Sequence, residues 1–244
     1  MERFLEWFED GKYSPWGERF DCGHTVAQAL FRYKGGTVPV LCGSNQKTSN
    51  GNGSLMRLLP MAYYLSASYG TDLTGYAKAM DMTHQVSGLT HSHTIAQSAC
   101  GIYVNIAARL LAGMDKAAAV REGVVASADW YRRHDKFEEA LPIWEPLLDP
   151  VSLTEIPEEE IGSSGYVADT LIASLWCLLT TDCYHMCVLK AVNLGEDTDT
   201  TGAVAGGLAG LVYGYDGIPR DWLDALKGKP IIEKACEAME REES

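Results

Sequence analysis

Apolar residues recur at helical spacing along almost the whole chain, as in Ile95, Ala99, Ile102, Ile106 and Leu110. The strict apolar–polar alternation of a half-buried strand is nearly absent. The pattern predicts an all-α protein with helices over residues 2–9, 24–33, 54–68, 75–87, 94–112, 116–134 and 136–141, then 167–180, 183–192, 201–214, 220–226 and 231–241. The strand candidate is residues 37–41.

Two stretches break the periodicity. Residues 42–53 are rich in Gly, Ser and Asn, a composition suited to turns and to backbone that cradles anions rather than to core. Residues 145–165 carry Pro146, Pro150 and Pro157 and read as irregular surface. One helix also stands out, with glycines at 202, 206, 210 and 214, four apart and therefore on one face. An interior glycine costs a helix about 1 kcal/mol relative to alanine. The spacing therefore predicts a central, buried helix against which another backbone packs closely.

Composition narrows the picture. The chain has 244 residues, enough for a substantial core, and reads as one domain over 1–244. Asp plus Glu outnumber Lys plus Arg by 33 to 20, a net charge of -13, which argues against general nucleic-acid binding or an anionic membrane surface. The acidic runs 155–160 and 233–243 read as solvated faces. No apolar stretch reaches the ~20 residues of a membrane span. The first residues, Met1-Glu2-Arg3-Phe4, do not resemble a secretory signal. Seven cysteines without a C-x-x-C pair suit a reducing, cytoplasmic compartment better than a disulfide framework.

Candidate chemistry concentrates at Gly195-Glu196-Asp197-Thr198-Asp199-Thr200-Thr201-Gly202. Asp197, Asp199 and Thr200 put hard oxygen donors on one tight turn, which suits Mg²⁺. Asp199 or Thr200 would equally serve as a helix N-cap, which leaves the second aspartate without a purpose. Asn52, Gly53, Ser54 and Met56 lie where a glycine-rich segment runs into a helix, the arrangement of an anion pocket, and also that of a plain turn with Ser54 as cap. His91 and His93 are two apart and cannot share a helical face as a zinc pair does. Either one reads equally as a structural residue. Ser163-Ser164-Gly165-Tyr166 offers a turn with an aromatic ring, or ordinary packing.

Taken in order, these motifs resemble those of the ADP-ribosylglycohydrolases. Phe20-Asp21-Cys22-Gly23 with Thr25, residues 52–60, 90–93, 164–167 and 191–202 look like the family's blocks, with Glu196 standing where many members have glycine. The resemblance implies an orthogonal multi-helix bundle with a central metal and nucleotide cleft, holding two Mg²⁺ ions and hydrolysing the bond that joins ADP-ribose to a protein or small-molecule acceptor. It implies Asp197, Asp199 and Thr200 as metal ligands, with Asp197 and Asp199 catalytic. It also implies Asn52, Gly53, Ser54 and Met56 as the loop lining the ADP-ribose pocket, His93 near the diphosphate, and Gly165 and Tyr166 as a wall of the nucleotide site.

Family members also carry a Gly-Asp segment and a Thr-Asp-Asp-Thr block upstream of the helix containing Trp7, and this sequence shows neither. The expectation is of an N-terminally truncated domain holding half of a two-metal site. Apolar surface beside Gly202 should then be uncovered and favour self-association. A noncatalytic ADP-ribose-binding module is the alternative function.

Overall fold

The computed structural model describes residues 1–242, so the last acidic residue of the tail, Glu243, lies outside the described residues. The fold is all-α. In chain order the helices are α1 (Glu2–Asp10), α2 (His24–Lys34), α3 (Leu59–Tyr69), α4 (Ala77–Gly88), α5 (Thr94–Leu111), α6 (Lys116–Arg132) and α7 (Leu141–Trp144). They continue with α8 (Pro150–Glu155), α9 (Val167–Leu179), α10 (Tyr184–Asn193), α11 (Thr198–Tyr213), α12 (Arg220–Ala225) and α13 (Lys229–Glu242). Short 3₁₀ turns connect several of them. No described helix is long and apolar enough to cross a membrane.

Proline explains most departures from the predicted boundaries. Residues 37–41 form no strand, because Pro39 has no N–H for a ladder and instead opens a 3₁₀ turn, Pro39–Leu41. The helix predicted from residue 54 starts at Leu59, with Pro60 in its first turn, after a separate 3₁₀ turn at Leu55–Arg57. The helix predicted over 136–141 is a 3₁₀ segment, Asp135–Ala140, leading into α7, which carries Pro142 in its first turn. Residues 145–165, expected as surface, contain α8 and send Leu147, Leu153 and Ile161 into the core. Pro146 and Pro150 begin helical turns there, where a missing N–H leaves nothing unsatisfied.

Helix α5 is the axis of the core and packs against α3, α4, α6, α9 and α11. Its small residues, among them Ala96, Ser98, Ala99 and Gly101, let those neighbours approach from every side. A Cβ on Gly101 would lie 1.8 Å from the Tyr131 hydroxyl, and one on Gly123 of α6 2.7 Å from Ile106 Cγ1. The α5–α6 seam is thus cut to fit by one glycine from each helix.

The glycine face of α11 is covered by α10, and side chains rather than bare backbone do the covering. A Cβ on Gly202 would meet Val192 Cγ1 at 2.9 Å, one on Gly206 would meet Val188 Cγ2 at 3.3 Å, and one on Gly210 would meet Tyr184 Cε2 at 4.0 Å. Tyr184, Val188 and Val192 are themselves four apart, so the two rows interlock in antiparallel register. This corrects the expectation of an uncovered Gly202 face, because α10 supplies its partner from within the chain and Gly202 is buried. Exposed apolar side chains lie instead near α1 and α2, where Trp16, Phe20 and Phe31 are 64%, 82% and 60% accessible.

Candidate active site at three helix N-termini

The segment Asn50-Gly51-Asn52-Gly53 is tied by its backbone to residues 165–167. Gly51 bridges Tyr166 in antiparallel fashion; the Asn52 N–H donates to the Gly165 carbonyl at 3.0 Å, and the Val167 N–H donates to the Asn50 carbonyl at 2.9 Å. Both asparagines are buried, while glycines 51 and 53 leave the intervening backbone bare.

Each asparagine ties the loop to helix N-termini. Asn50 Oδ1 accepts from the Ala96 N–H of α5 at 3.2 Å, and its Nδ2 donates to the Lys47 carbonyl and lies 3.1 Å from His93 Nδ1. Asn52 Nδ2 is 2.8 Å from Thr170 Oγ1 of α9 and 2.8 Å from Asp197 Oδ2 at the head of α11. The positive ends of α5, α9 and α11 therefore surround one glycine-rich loop, a setting that favours anionic ligands.

Helix α11 begins at Thr198, three residues earlier than the sequence pattern predicts, with Asp197 at the N-cap position. Neither Asp199 nor Thr200 acts as the cap residue. The Asp197 side chain is held from across the site by Asn52. Its backbone N–H donates to the Ser163 carbonyl at 3.1 Å, and a Cβ on Gly165 would approach Oδ2 to 3.3 Å. Burial opposes ionisation of Asp197, but hydrogen bonds from Asn52 and Thr200 outweigh it and hold the carboxyl below its ordinary range. Asp199 is exposed in the first turn and Thr200 is buried beside it. The turn is bent into place by Gly195 and Glu196, at φ 90° and 51°.

The turn offers the carboxylates of Asp197 and Asp199 and the Thr200 hydroxyl, hard oxygens of the kind an Mg²⁺ shell takes. Among the described residues no group of three or more His, Cys, Asp and Glu side chains comes together to complete it.

The structure divides the remaining predicted residues. Gly53 stands in the loop and Met56 is exposed just beyond it. Ser54 is fully buried and turns away, its hydroxyl accepting from Ser87 at 3.0 Å and lying 3.5 Å from Cys100 Sγ, so only its backbone belongs to the loop. Gly165 and Tyr166 line the opposite side of the bridge. His93 is the N-cap of α5; its Nδ1 accepts from the Ile95 N–H at 3.3 Å and its Nε2 lies 3.3 Å from Glu139 Oε1. Glu139 in turn holds Lys47 at 3.1 Å. His93 thus anchors the outer edge of the loop.

His91 has the closer position, although nothing in the sequence pattern sets it apart from His93. It is buried, and a Cβ on Gly53 would lie 3.1 Å from its Cε1, while one on Gly51 would lie 3.7 Å from its Nε2. Burial, with help from the nearby Arg57 charge, pushes its pKa down to about 4 and keeps the ring neutral. Ser44 pairs with His91 across a second bridge, so residues 42–53 are tied down at both ends. Asn50 and Thr170 were likewise missed, since a lone Asn or Thr carries no periodic signal.

The all-α bundle thus gathers a glycine loop and a carboxylate turn at converging helix ends. The sequence profile of the ADP-ribosylglycohydrolases matches residues 1–244, and the chain belongs to that family. It is 29% identical to an ADP-ribosylarginine hydrolase of Serratia proteamaculans over 98% of this chain and 59% of the relative. It is 30% identical to the ADP-ribosyl-[dinitrogen reductase] glycohydrolase of Rhodospirillum rubrum over 86% of this chain and 61% of the relative. A solved structure described as an ADP-ribosylglycohydrolase-related protein complex superposes with a TM-score of 0.67 at 27% identity, covering 92% of this chain and 66% of that one. The chain spans about three fifths of the length of these curated relatives.

Proposed function

We propose that this chain binds ADP-ribose at the Asn50–Ser54 loop and contributes to hydrolysis of the bond joining ADP-ribose to an acceptor, with Mg²⁺ held by Asp197, Asp199 and Thr200. The observation that carries this reading is the Asn52 amide, which holds the Asp197 carboxylate against the glycine loop. In this reading the bare backbone at Gly51 and Gly53, with the N-termini of α5 and α9, receives the diphosphate. The Tyr166 ring offers an apolar wall to the nucleoside. His91, held neutral, donates to the ligand without adding charge. Asp197 stays ionised at neutral pH and faces positive charge that develops on the ribose as its bond to the acceptor breaks. Bound Mg²⁺ would supply Lewis acidity and orient water toward the ribose.

A second reading, a noncatalytic ADP-ribose-binding module, is favoured by the incomplete ligand set among the described residues. Calorimetry with ADP-ribose, with and without Mg²⁺, combined with a turnover assay on ADP-ribosylated arginine, separates the two. Mg²⁺-enhanced binding with release of ADP-ribose supports the enzyme. Tight, Mg²⁺-independent binding with no turnover supports the module. We also read the chain as one domain, with self-association through the exposed aromatics near α1 and α2, which sedimentation would test.

A further inference from the structure

Arg57 sits directly after the glycine loop and turns its guanidinium back beneath it. Nη1 donates to the Gly53 carbonyl at 2.9 Å and Nη2 to the Thr90 hydroxyl at 2.7 Å. The Phe4 ring of α1 lies 4.9 Å from Cζ, and Nε is buried without a partner. Burial is strong enough to lower the guanidinium pKa to about 10. Yet among the described residues no carboxylate lies within ion-pair distance of it. The Gly53 and Val86 carbonyls, the Thr90 hydroxyl and the Phe4 ring solvate this cation without neutralising it, and a merely structural tie at this position could be made by an uncharged side chain.

The Thr90 contact reaches further. Thr90 Oγ1 accepts from Arg57, which takes up one of its lone pairs and favours sending its own proton to the neighbouring acceptor, His91 Nδ1, 2.7 Å away. That leaves the imidazole proton on Nε2, the nitrogen nearest Gly51. One guanidinium thus touches the loop carbonyl at Gly53 and, through Thr90, bears on the tautomer of the His91 ring packed against that loop.

We propose that Arg57 is a positioning residue of the ADP-ribose site: it holds the glycine loop through Gly53, fixes His91 as an Nε2–H donor through Thr90, and has its own missing counter-ion supplied by the ligand's diphosphate. This rests on the ADP-ribose reading above. The arrangement treats a charged ligand differently from an uncharged one, which a purely structural arginine would not.

The test uses Arg57→Met and Arg57→Lys, with ADP-ribose and adenosine as probes in calorimetry and ¹⁵N spectra of the histidine rings as a separate readout. In Arg57→Met, ADP-ribose affinity falls about tenfold or more, equal to about 1.4 kcal/mol, adenosine affinity stays within about twofold, and the His91 ring loses its fixed Nε2–H signature. Arg57→Lys, which keeps the charge without the fork, recovers part of the ADP-ribose affinity. Equal weakening of both probes, or unchanged ADP-ribose binding, overturns the proposal. If the wild-type chain binds neither probe, the ADP-ribose reading itself fails, and the spectra still decide the role of Arg57: an unchanged His91 tautomer in the variant overturns it. Should Arg57→Met not fold, Thr90→Val breaks the same relay and must release the His91 tautomer; a tautomer that stays fixed refutes the proposal.

Discussion

Asn52 Nδ2 lies 2.8 Å from Asp197 Oδ2, across 145 positions of sequence. The same nitrogen is 2.8 Å from Thr170 Oγ1. One primary amide therefore sets where the glycine loop stands relative to both α9 and α11. It does so with a donor to a carboxylate, the stronger kind of hydrogen bond.

Asn52→Ala removes that donor and leaves a half-buried carboxylate less well solvated by the protein. Urea unfolding should show a loss of about 1–3 kcal/mol at neutral pH. Asp197 is held ionised below its ordinary range in the native state, so its stabilising effect is present above that range and fades as the pH falls through it. The deficit of the variant should therefore shrink in acid. An Asp197 titration followed by NMR that does not move upward in the variant would contradict the role given to Asn52.

Asp199 is exposed in the first turn of α11, so its removal should touch the metal more than the fold. Asp199→Ala is expected to lose any Mg²⁺-dependent rise in Tm while helicity is retained. Its metal-free stability should drop only by the ~0.3–1 kcal/mol of a charge at a helix N-terminus. An unchanged Mg²⁺ titration removes Asp199 from the ligand set.

Glu196 occupies left-handed backbone at φ 51°, directly after Gly195 at φ 90°. That conformation costs a residue with a Cβ about 1–2 kcal/mol, whereas glycine adopts it freely, with some loss to unfolded-state entropy. Glu196→Gly should therefore raise stability by about 0.5–1 kcal/mol, read from the urea midpoint. A lower midpoint would mean that the Glu196 side chain contributes more than the backbone strain removes.

At the α10–α11 seam, Gly202→Ala places a Cβ 2.9 Å from Val192 Cγ1. Overpacking of this kind costs about 1–3 kcal/mol, more than the helix propensity that alanine gains. Adding Val192→Ala should recover most of the loss, since it removes the clashing methyl. If the double variant is no more stable than Gly202→Ala alone, the interlocked rows do not govern this interface.

His84 and His91 are buried and neutral. Burial first, then nearby cationic groups, push their pKa values from 6.5 to about 3 and about 4. On unfolding each regains its ordinary value, so below about pH 6.5 the unfolded chain binds protons that the native chain does not. Stability is thus full above that pH and falls as the pH drops toward 4, with a combined slope approaching about 2.7 kcal/mol per pH unit. In His84→Phe the slope should be roughly halved. Unfolding curves between pH 4.5 and 7.5 with the wild-type slope would rule out the buried His84 as a source.

The helices were legible because burial imposes a 3.6-residue period on the residues that carry it, and α5, α6, α9 and α10 begin within a residue of the predicted positions. The four-residue glycine spacing of α11 likewise announced a close neighbour. It did not say that the neighbour would be the row Tyr184, Val188 and Val192, because a missing side chain records only that space is needed. Prolines 39, 60, 146 and 150 were visible, but their effect depends on whether a turn begins at that residue, which the surrounding chain decides.

For the site, sequence alone determined the chemical types: a carboxylate turn at Asp197 and Asp199, a loop of bare glycine backbone, and histidines close by. It could not choose His91 over His93 as the ring beneath the loop, because both are flanked by the same small polar residues. Nor could it pair Asn52 with Asp197 or tell that Arg57 meets no carboxylate among the described residues. Those facts are distances between segments far apart in the chain, and only tertiary packing around α5 brings the segments together and fixes which polar groups find partners.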